Sequence, residues 1–185
     1  MIYKYKVSIC AIFQNEAIFL REWIEFHRLV GVDHFYLIND RSQDQYLEIL
    51  RPYIQKGLVD LFECQVTMCQ DLGLHLNKQV QEYNRLLPQI QLESKWVIAM
   101  DLDEFFYCVD KTDIREFVDR YSEKEIGAIY IFWQMFGTSH LTEIPPDQLL
   151  IESLTSCAEE QYAYNKYGKS LIKTSHCLQL GIQFF

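Results

Sequence analysis

The 185-residue chain has no apolar run of the roughly 18 residues that a membrane-spanning helix requires, so no transmembrane segment is expected. Met1 to Phe13 holds Lys4 and Lys6 but no apolar region leading to a small-residue cleavage site, and no signal peptide is expected there. The cysteines, at 10, 64, 69, 108, 157 and 177, form no C-x-x-C pair and sit mostly inside apolar stretches, as reduced, buried thiols do. These absences point to a cytoplasmic protein. Cationic residues are in the minority, 17 Lys and Arg against 26 Asp and Glu. The resulting net charge of -9 argues against nucleic acid as a partner, because its phosphates demand basic patches. A phosphate-gripping glycine-rich loop, internal repeats, low-complexity segments and an interdomain linker are also missing, so residues 1–185 read as a single domain. What the chain does have is apolar bulk. With 12 Tyr, 12 Phe and 3 Trp it holds more aromatic surface than a small core needs, leaving some to line a cleft or stack on a ligand.

The most informative stretch is Trp96-Val97-Ile98-Ala99-Met100-Asp101-Leu102-Asp103-Glu104-Phe105-Phe106. Its unbroken apolar start suits a strand covered on both faces, and its acids then fall at the carboxyl end, where open α/β sheets bind ligands. Asp101 and Asp103, two apart, leave an extended chain on the same side and can share one divalent cation, while Leu102 points into the core. The alternative is a solvated turn after a core strand. Around this stretch, Val7–Phe13, His34–Ile38, Leu58–Cys64 and Gly127–Trp133 read as further strands. A helix from Ala17 to Gly31 carries Leu20, Trp23, Ile24, His27 and Leu29 as its stripe, with His27 as a packing or hydrogen-bonded residue. A second helix follows Asp44, its candidate cap, and is broken or kinked at Pro52. A third spans about Leu74–Leu87 and stops at Pro88. Others are expected near Asp113–Tyr121, with an Asp113-x-x-Glu116 capping box, and over Asp147–Cys157. Alternating strands and helices with short connections predict an α/β, doubly wound, mostly parallel sheet. Asn15 and Glu16 after the first strand, and Asp40 after the second, reach the same edge as Asp101, with helix capping as the other role open to each.

These residues, taken together, resemble a known family. Asn15-Glu16, Glu22-Trp23-Ile24-Glu25-Phe26-His27, Gly31-Val32-Asp33-His34, Ser42-x-Asp44, Trp96, Asp101-x-Asp103-Glu104-Phe105, Trp133-x-x-Phe136-Gly137-Thr138-Ser139 and Lys169-Ser170 are similar, in order and spacing, to family-2-like glycosyltransferases related to family 92, which have a GT-A fold. The resemblance implies a nucleotide-sugar donor, a glycan or other hydroxyl acceptor, and transfer with inversion. It also implies Asp101 and Asp103 as the motif that joins Mn2+ or Mg2+ to the diphosphate. Asn15, Glu16, Asp40 and Asp101 would then contact the donor, with Gln79 and Asn84 approaching it from the next helix. Among His140, Glu143, Asp147 and Glu152, it is Glu152 that resembles the position of the catalytic base. Relatives continue past Lys169-Ser170 into an Asn-His-Tyr element whose histidine can complete the metal site. Ser175 to Phe185 holds no such element, so the carboxyl-terminal end of the domain is expected to be incomplete.

Overall fold

The structure, a computed structural model, describes residues 2–66, 74–110, 112–145 and 147–181. Its elements run in the order β1 (Tyr5–Phe13), α1 (Ala17–Leu29), β2 (His34–Asn39), α2 (Tyr46–Gln55), β3 (Val59–Glu63), α3 (Leu74–Glu93), β4 (Ser94–Ala99), α4 (Ile114–Asp119), β5 (Ala128–Phe132), α5 (Leu150–Ser153) and β6 (Gly168–Lys173). They build one six-stranded sheet in the order β3-β2-β1-β4-β6-β5. The first four strands are mutually parallel, and β6 runs antiparallel to both β4 and β5. The expected doubly wound α/β sheet is present. Among the described residues, no helix is long and apolar enough to cross a membrane.

Strand periodicity sorts the core into two layers. Ile9, Phe35, Leu37, Trp96 and Ile98 pack with Leu20, Trp23 and Ile24 of α1, Leu50 of α2 and Val118 of α4. Cys10, Tyr36, Ile38, Val97 and Ala99 face the opposite way, onto Tyr83, Leu86, Leu87 and Ile90 of α3. Beyond the end of β4 the chain turns: Leu102 is buried in the core layer on the α1 side, while Asp101 and Asp103 line a cleft together with Lys78 and Gln79 of α3. The chain winds from β1 out to β3 and then returns through α3 to β4 on the other side of β1. The β1–β4 pair is therefore the switch point, where the loops diverge and leave a crevice.

Several expectations change. Pro88 does not end its helix, since α3 continues through it to Glu93, and Pro52 lies inside α2 without breaking it. Leu86 and Leu87 before Pro88 and Ile90 after it are all buried on the sheet, and this packing holds the turn that the missing N–H weakens. Leu29 is 84% exposed, leaving Leu20, Trp23, Ile24 and His27 as the stripe of α1. The helix expected over Asp147–Cys157 shrinks to four residues, because Leu149 and Ile151 are exposed and the chain beyond Ser153 is drawn elsewhere. Thr155 and Ser156 donate their N–H groups to Ser139 Oγ, at 2.9 and 3.0 Å. Asp113 caps α4 through the Arg115 N–H, whereas Asp44 accepts from Ala17 N, at the start of α1, at 2.8 Å and from Tyr46 N at 3.3 Å, tying two helices together. Cys10 and Cys177 are buried, but Cys157 is exposed; Cys69 lies outside the described residues, as does the loop from 67 to 73.

Candidate functional site

The crevice at the switch point is a cleft of about 340 Å3. The exit of β1 contributes Phe13, Gln14 and Glu16, the exit of β2 contributes Asp40, α3 contributes Lys78 and Gln79, and the exit of β4 contributes Asp101, Leu102 and Asp103. Five of the sequence-derived candidates, Glu16, Asp40, Gln79, Asp101 and Asp103, therefore converge. The other three do not line the cleft. Asn15 braces its rim: it takes a left-handed φ of 56°, its N–H donates to Ser42 Oγ at 2.9 Å, and its side-chain oxygen accepts from Gln43 N at 2.8 Å. Asn84 is committed to the carboxyl-terminal segment, donating to Leu180 O at 2.7 Å and accepting from Leu180 N at 2.9 Å. Glu152 is exposed on α5, its carboxylate 3.5 Å from Leu149 N; His140, Glu143 and Asp147 are exposed as well.

The acid-bearing turn is held from three sides. Asp101 N donates to Glu104 Oε2 at 3.0 Å, and Glu104 N donates back to Asp101 O at 3.2 Å, which closes the turn on itself. From α1, Trp23 Nε1 donates to Glu104 O at 2.8 Å. Phe106 N donates to His27 Nε2 at 3.0 Å while His27 Nδ1 lies 2.8 Å from Trp23 O, so the imidazole is neutral with its proton on Nδ1. Burial lowers its pKa to about 4, although the bond to Trp23 opposes the shift. From β6, Lys169 Nζ donates to Asp101 Oδ2 at 3.0 Å and lies 3.3 Å from Glu104 Oε2, with the lysine itself only 5% exposed. Gln79 Nε2 is 3.4 Å from the other Asp101 oxygen.

Negative charge is left in excess beside β1 and β4. Burial, reinforced by Asp103, Asp101 and Asp44, pushes Glu16 up to about 7 despite a backbone bond at Gln14 that opposes it. Burial and then the Asp101 charge raise Asp103. Burial pushes Glu104 up to about 7 against the pull of Lys169. Asp40 behaves differently: burial would raise it, but Lys78 and Arg41 outweigh that and hold it below the usual carboxylate range. The carboxylates of Glu16, Asp40, Asp101 and Asp103 among the lining residues are oxygen donors of the kind a hard cation takes, although Lys78 already pairs with Asp40. Among the described residues, however, no cluster of three or more His, Cys, Asp or Glu could hold one alone.

Sequence reasoning missed Lys78, Gln14 and the strand that carries Lys169. The signal of β6 was hidden because Lys169 and Lys173 are both buried, the latter by donating to Ser122 O and Lys124 O at 2.9 and 3.2 Å, so the polar ends of the strand read as loop. A second long-range tie, also unread, joins Glu22 of α1 to the Leu150 and Ile151 N–H groups at 2.7 and 3.0 Å.

Comparison with known proteins agrees with this architecture. A glycosyltransferase family 92 protein of Oryza sativa subsp. japonica is 27% identical over 142 residues, covering 76% of this chain and 23% of that protein. A galactan beta-1,4-galactosyltransferase of Arabidopsis thaliana, GALS2, is 29% identical over 98 residues, or 51% of this chain and 18% of that one. The chain thus spans about a quarter of the length of its family 92 relatives. The structure of S. aureus TarS 1-349 in complex with UDP aligns with a TM-score of 0.53 at 16% identity, covering 92% of this chain and 47% of that one, and shares the GT-A-like fold. The sequence model of glycosyltransferase family 92 matches residues 3–185, and this chain belongs to that family.

Proposed function

We propose that the cleft binds the diphosphate of a nucleotide-sugar donor and that the chain takes part in moving the sugar to an acceptor hydroxyl with inversion. The observation that carries this reading is the meeting of Asp101 and Asp103 with Gln79, Asp40 and Glu16 at the β1–β4 switch point. Bound there, Mg2+ or Mn2+ would neutralise charge developing on the departing diphosphate. The protein's own part is preorganisation. Lys169 and Gln79 fix the Asp101 carboxylate, Trp23 and His27 fix the turn behind it, and Asp40, kept ionised by Lys78, is an acceptor suited to ribose hydroxyls. A galactosyl donor is the first to try, given the GALS2 relative, and UDP is the first nucleotide, given the TarS complex. As the transfer base, Glu152 would have to meet an acceptor that extends past the rim of the cleft, so donor binding is a cleaner first measurement than turnover.

Calorimetry of UDP with and without Mn2+ tests the reading. Wild type is expected to bind more tightly with Mn2+, and Asp103→Ala, at an open position on the rim, is expected to keep the fold and lose about 1–3 kcal/mol of that metal-dependent affinity, as when one partner of a charged interaction is removed. Equal Mn2+-dependent affinity in the two proteins would refute the assignment. Hydrolysis of a UDP-sugar by wild type separates an enzyme from a domain that only binds nucleotide.

A further inference from the structure

Beyond the cleft, a line of aromatic rings leads away from Lys169. Its ammonium lies 5.9 Å from the centroid of Trp133, which follows β5. The Trp133 ring is 6.5 Å from Tyr167, Tyr167 is 6.0 Å from Tyr164, and Tyr164 is 5.6 Å from Tyr162. The line begins at the group that holds Asp101 and ends in solvent, where Tyr164 and Tyr162 are 55% and 47% exposed.

The rings sit on a fixed backbone. Trp133 N donates to Tyr167 O at 2.8 Å, Tyr167 N to Tyr164 O at 3.0 Å and Asn165 N to Tyr162 O at 3.0 Å. The Asn165 side chain accepts from Met135 N and donates to Glu159 O, each at 3.0 Å. The backbone that carries the rings therefore needs little ordering on binding, which lowers the cost of association. The indole N–H of Trp133 is buried and, among the described residues, has no hydrogen-bond partner, an unmet donor at the Lys169 end of the line.

We infer that Trp133, Tyr167, Tyr164 and Tyr162 form an acceptor ledge for a neutral, pyranose-based oligosaccharide, with its reacting end toward Lys169 and the rest of its chain laid over the tyrosines. The inference rests on the proposed sugar-transfer reading. A pyranose presents a flat C–H face with hydroxyls around its edge, which matches a ring whose face is electron-rich and whose rim carries a phenol. Centroid spacings of 5.6 to 6.5 Å are near the step from one sugar ring to the next in a β-linked chain, and because successive rings are tilted by 39° to 60° such a chain would meet them one at a time and not as one flat platform. A nucleotide diphosphate is a poor occupant, because Lys166, lying 5.3 Å from the centroid of Tyr167, is the only cation on this turn and Glu159 and Glu160 stand nearby in the chain.

The test uses the full chain with three neutral tetrasaccharides, β-1,4-galactotetraose, cellotetraose and chitotetraose, by saturation-transfer NMR and tryptophan fluorescence. Trp23 and Trp96 are fully buried, so Trp133 is the indole that a bound sugar could touch, and loss of the fluorescence change in the tyrosine double variant assigns it to the ledge. At least one tetrasaccharide is expected to receive saturation from tyrosine ring protons and to shift the emission. Tyr162→Ala with Tyr164→Ala, at exposed positions that leave the fold alone, is expected to weaken that binding roughly tenfold, two ring contacts' worth. UDP is titrated in parallel. A chain that binds UDP but none of the three sugars, or whose sugar affinity is untouched by the double variant, overturns the ledge and spares the donor reading. Sugar binding through these rings without UDP binding upholds the ledge and sinks the donor reading.

Discussion

The two halves of the sheet are built differently. In the parallel half, every residue of β2 is buried and β4 has one partly exposed position, Lys95, because helices cover both faces. In the antiparallel half, β6 is as buried as β4, but the edge strand β5 alternates exposed and half-buried residues, leaving Tyr130 at 36% and Phe132 at 67% exposure. A strand covered on two faces cannot shift without disturbing both core layers, whereas an edge strand covered on one face leaves its loops free to differ. The parallel half thus acts as the scaffold that sets the positions of the carboxylates. The antiparallel half contributes Lys169 and the aromatic turn from outside.

The largest expected effect tests that division directly. Trp23 is fully buried between α1 and the sheet and also donates to Glu104 O, so Trp23→Ala should cost about 3–5 kcal/mol. Phe132→Ala, also a loss of an aromatic ring, should stay within about 0.5 kcal/mol because most of the ring already meets solvent. Urea titrations of the two variants measure both, and similar losses would erase the distinction between the halves.

Slightly smaller is the pH effect of His27. Its folded pKa of about 4 lies below the ordinary 6.5, so between these values the unfolded chain binds more protons and folding stability falls as pH falls. Complete passage through that window removes roughly 3 kcal/mol. Glu16 and Glu104, each pushed up to about 7, act in the opposite sense: the cost of ionising them in the folded state is relieved as pH drops from 7 toward 4.5. The informative quantity is therefore wild type minus His27→Phe, measured by urea titration at pH 7 and pH 4.5. A difference that does not change with pH would remove His27 as the acid-sensitive pin of the acidic turn.

How legible each half was follows from the same contrast. The runs Ile9–Phe13, Phe35–Ile38 and Trp96–Ala99 announced buried parallel strands, and Leu102 is buried as expected, although the acids beside it stand in a turn past β4 and not in an extended strand. Local pattern carried this because each such strand is apolar along its whole length. It failed at β6, where buried lysines satisfied by distant oxygens look polar in sequence, and at α5, where a run of Leu and Ile belongs to a surface turn. It also failed at Asn84, since nothing local distinguishes an amide gripping Leu180 from one facing a ligand. Contacts that join residues 68 or 128 positions apart, such as Lys169 to Asp101 or Glu22 to Leu150, leave no local trace.

Gly168 sharpens the comparison from the antiparallel side. A Cβ added there would lie 1.8 Å from Ile131 O, so the β5 and β6 backbones approach closely enough to require glycine. Gly168→Ala must push the strands apart beside Lys169, at a cost of about 1–3 kcal/mol, the range for overpacking. Amide exchange should quicken across Ala128–Phe132 while β1 and β2 keep their protection. Faster exchange throughout the sheet would mean that the halves unfold as one unit.

The smallest expected effect concerns the single carboxylate that ties the parallel half to the loop beyond β5. Both oxygens of Glu22 accept from α5, one from Leu150 N and one from Ile151 N, and so replace the cap that a four-residue helix lacks. Glu22→Gln keeps one oxygen acceptor, but it loses the other and the charge that favours a helix start. The cost should be about 1 kcal/mol, the usual range for a cap. Because Glu22 is only partly buried and its neighbours Trp23 and Ile24 carry the packing of α1, global stability should barely register the change. The effect should appear locally, as amide exchange about fivefold faster at Leu150 and Ile151, which is what 1 kcal/mol of local opening amounts to. Unchanged exchange there would show that α5 is held by the burial of Leu150 and Ser153 alone, and that the loop bearing Glu152 takes its position from the sheet rather than from α1.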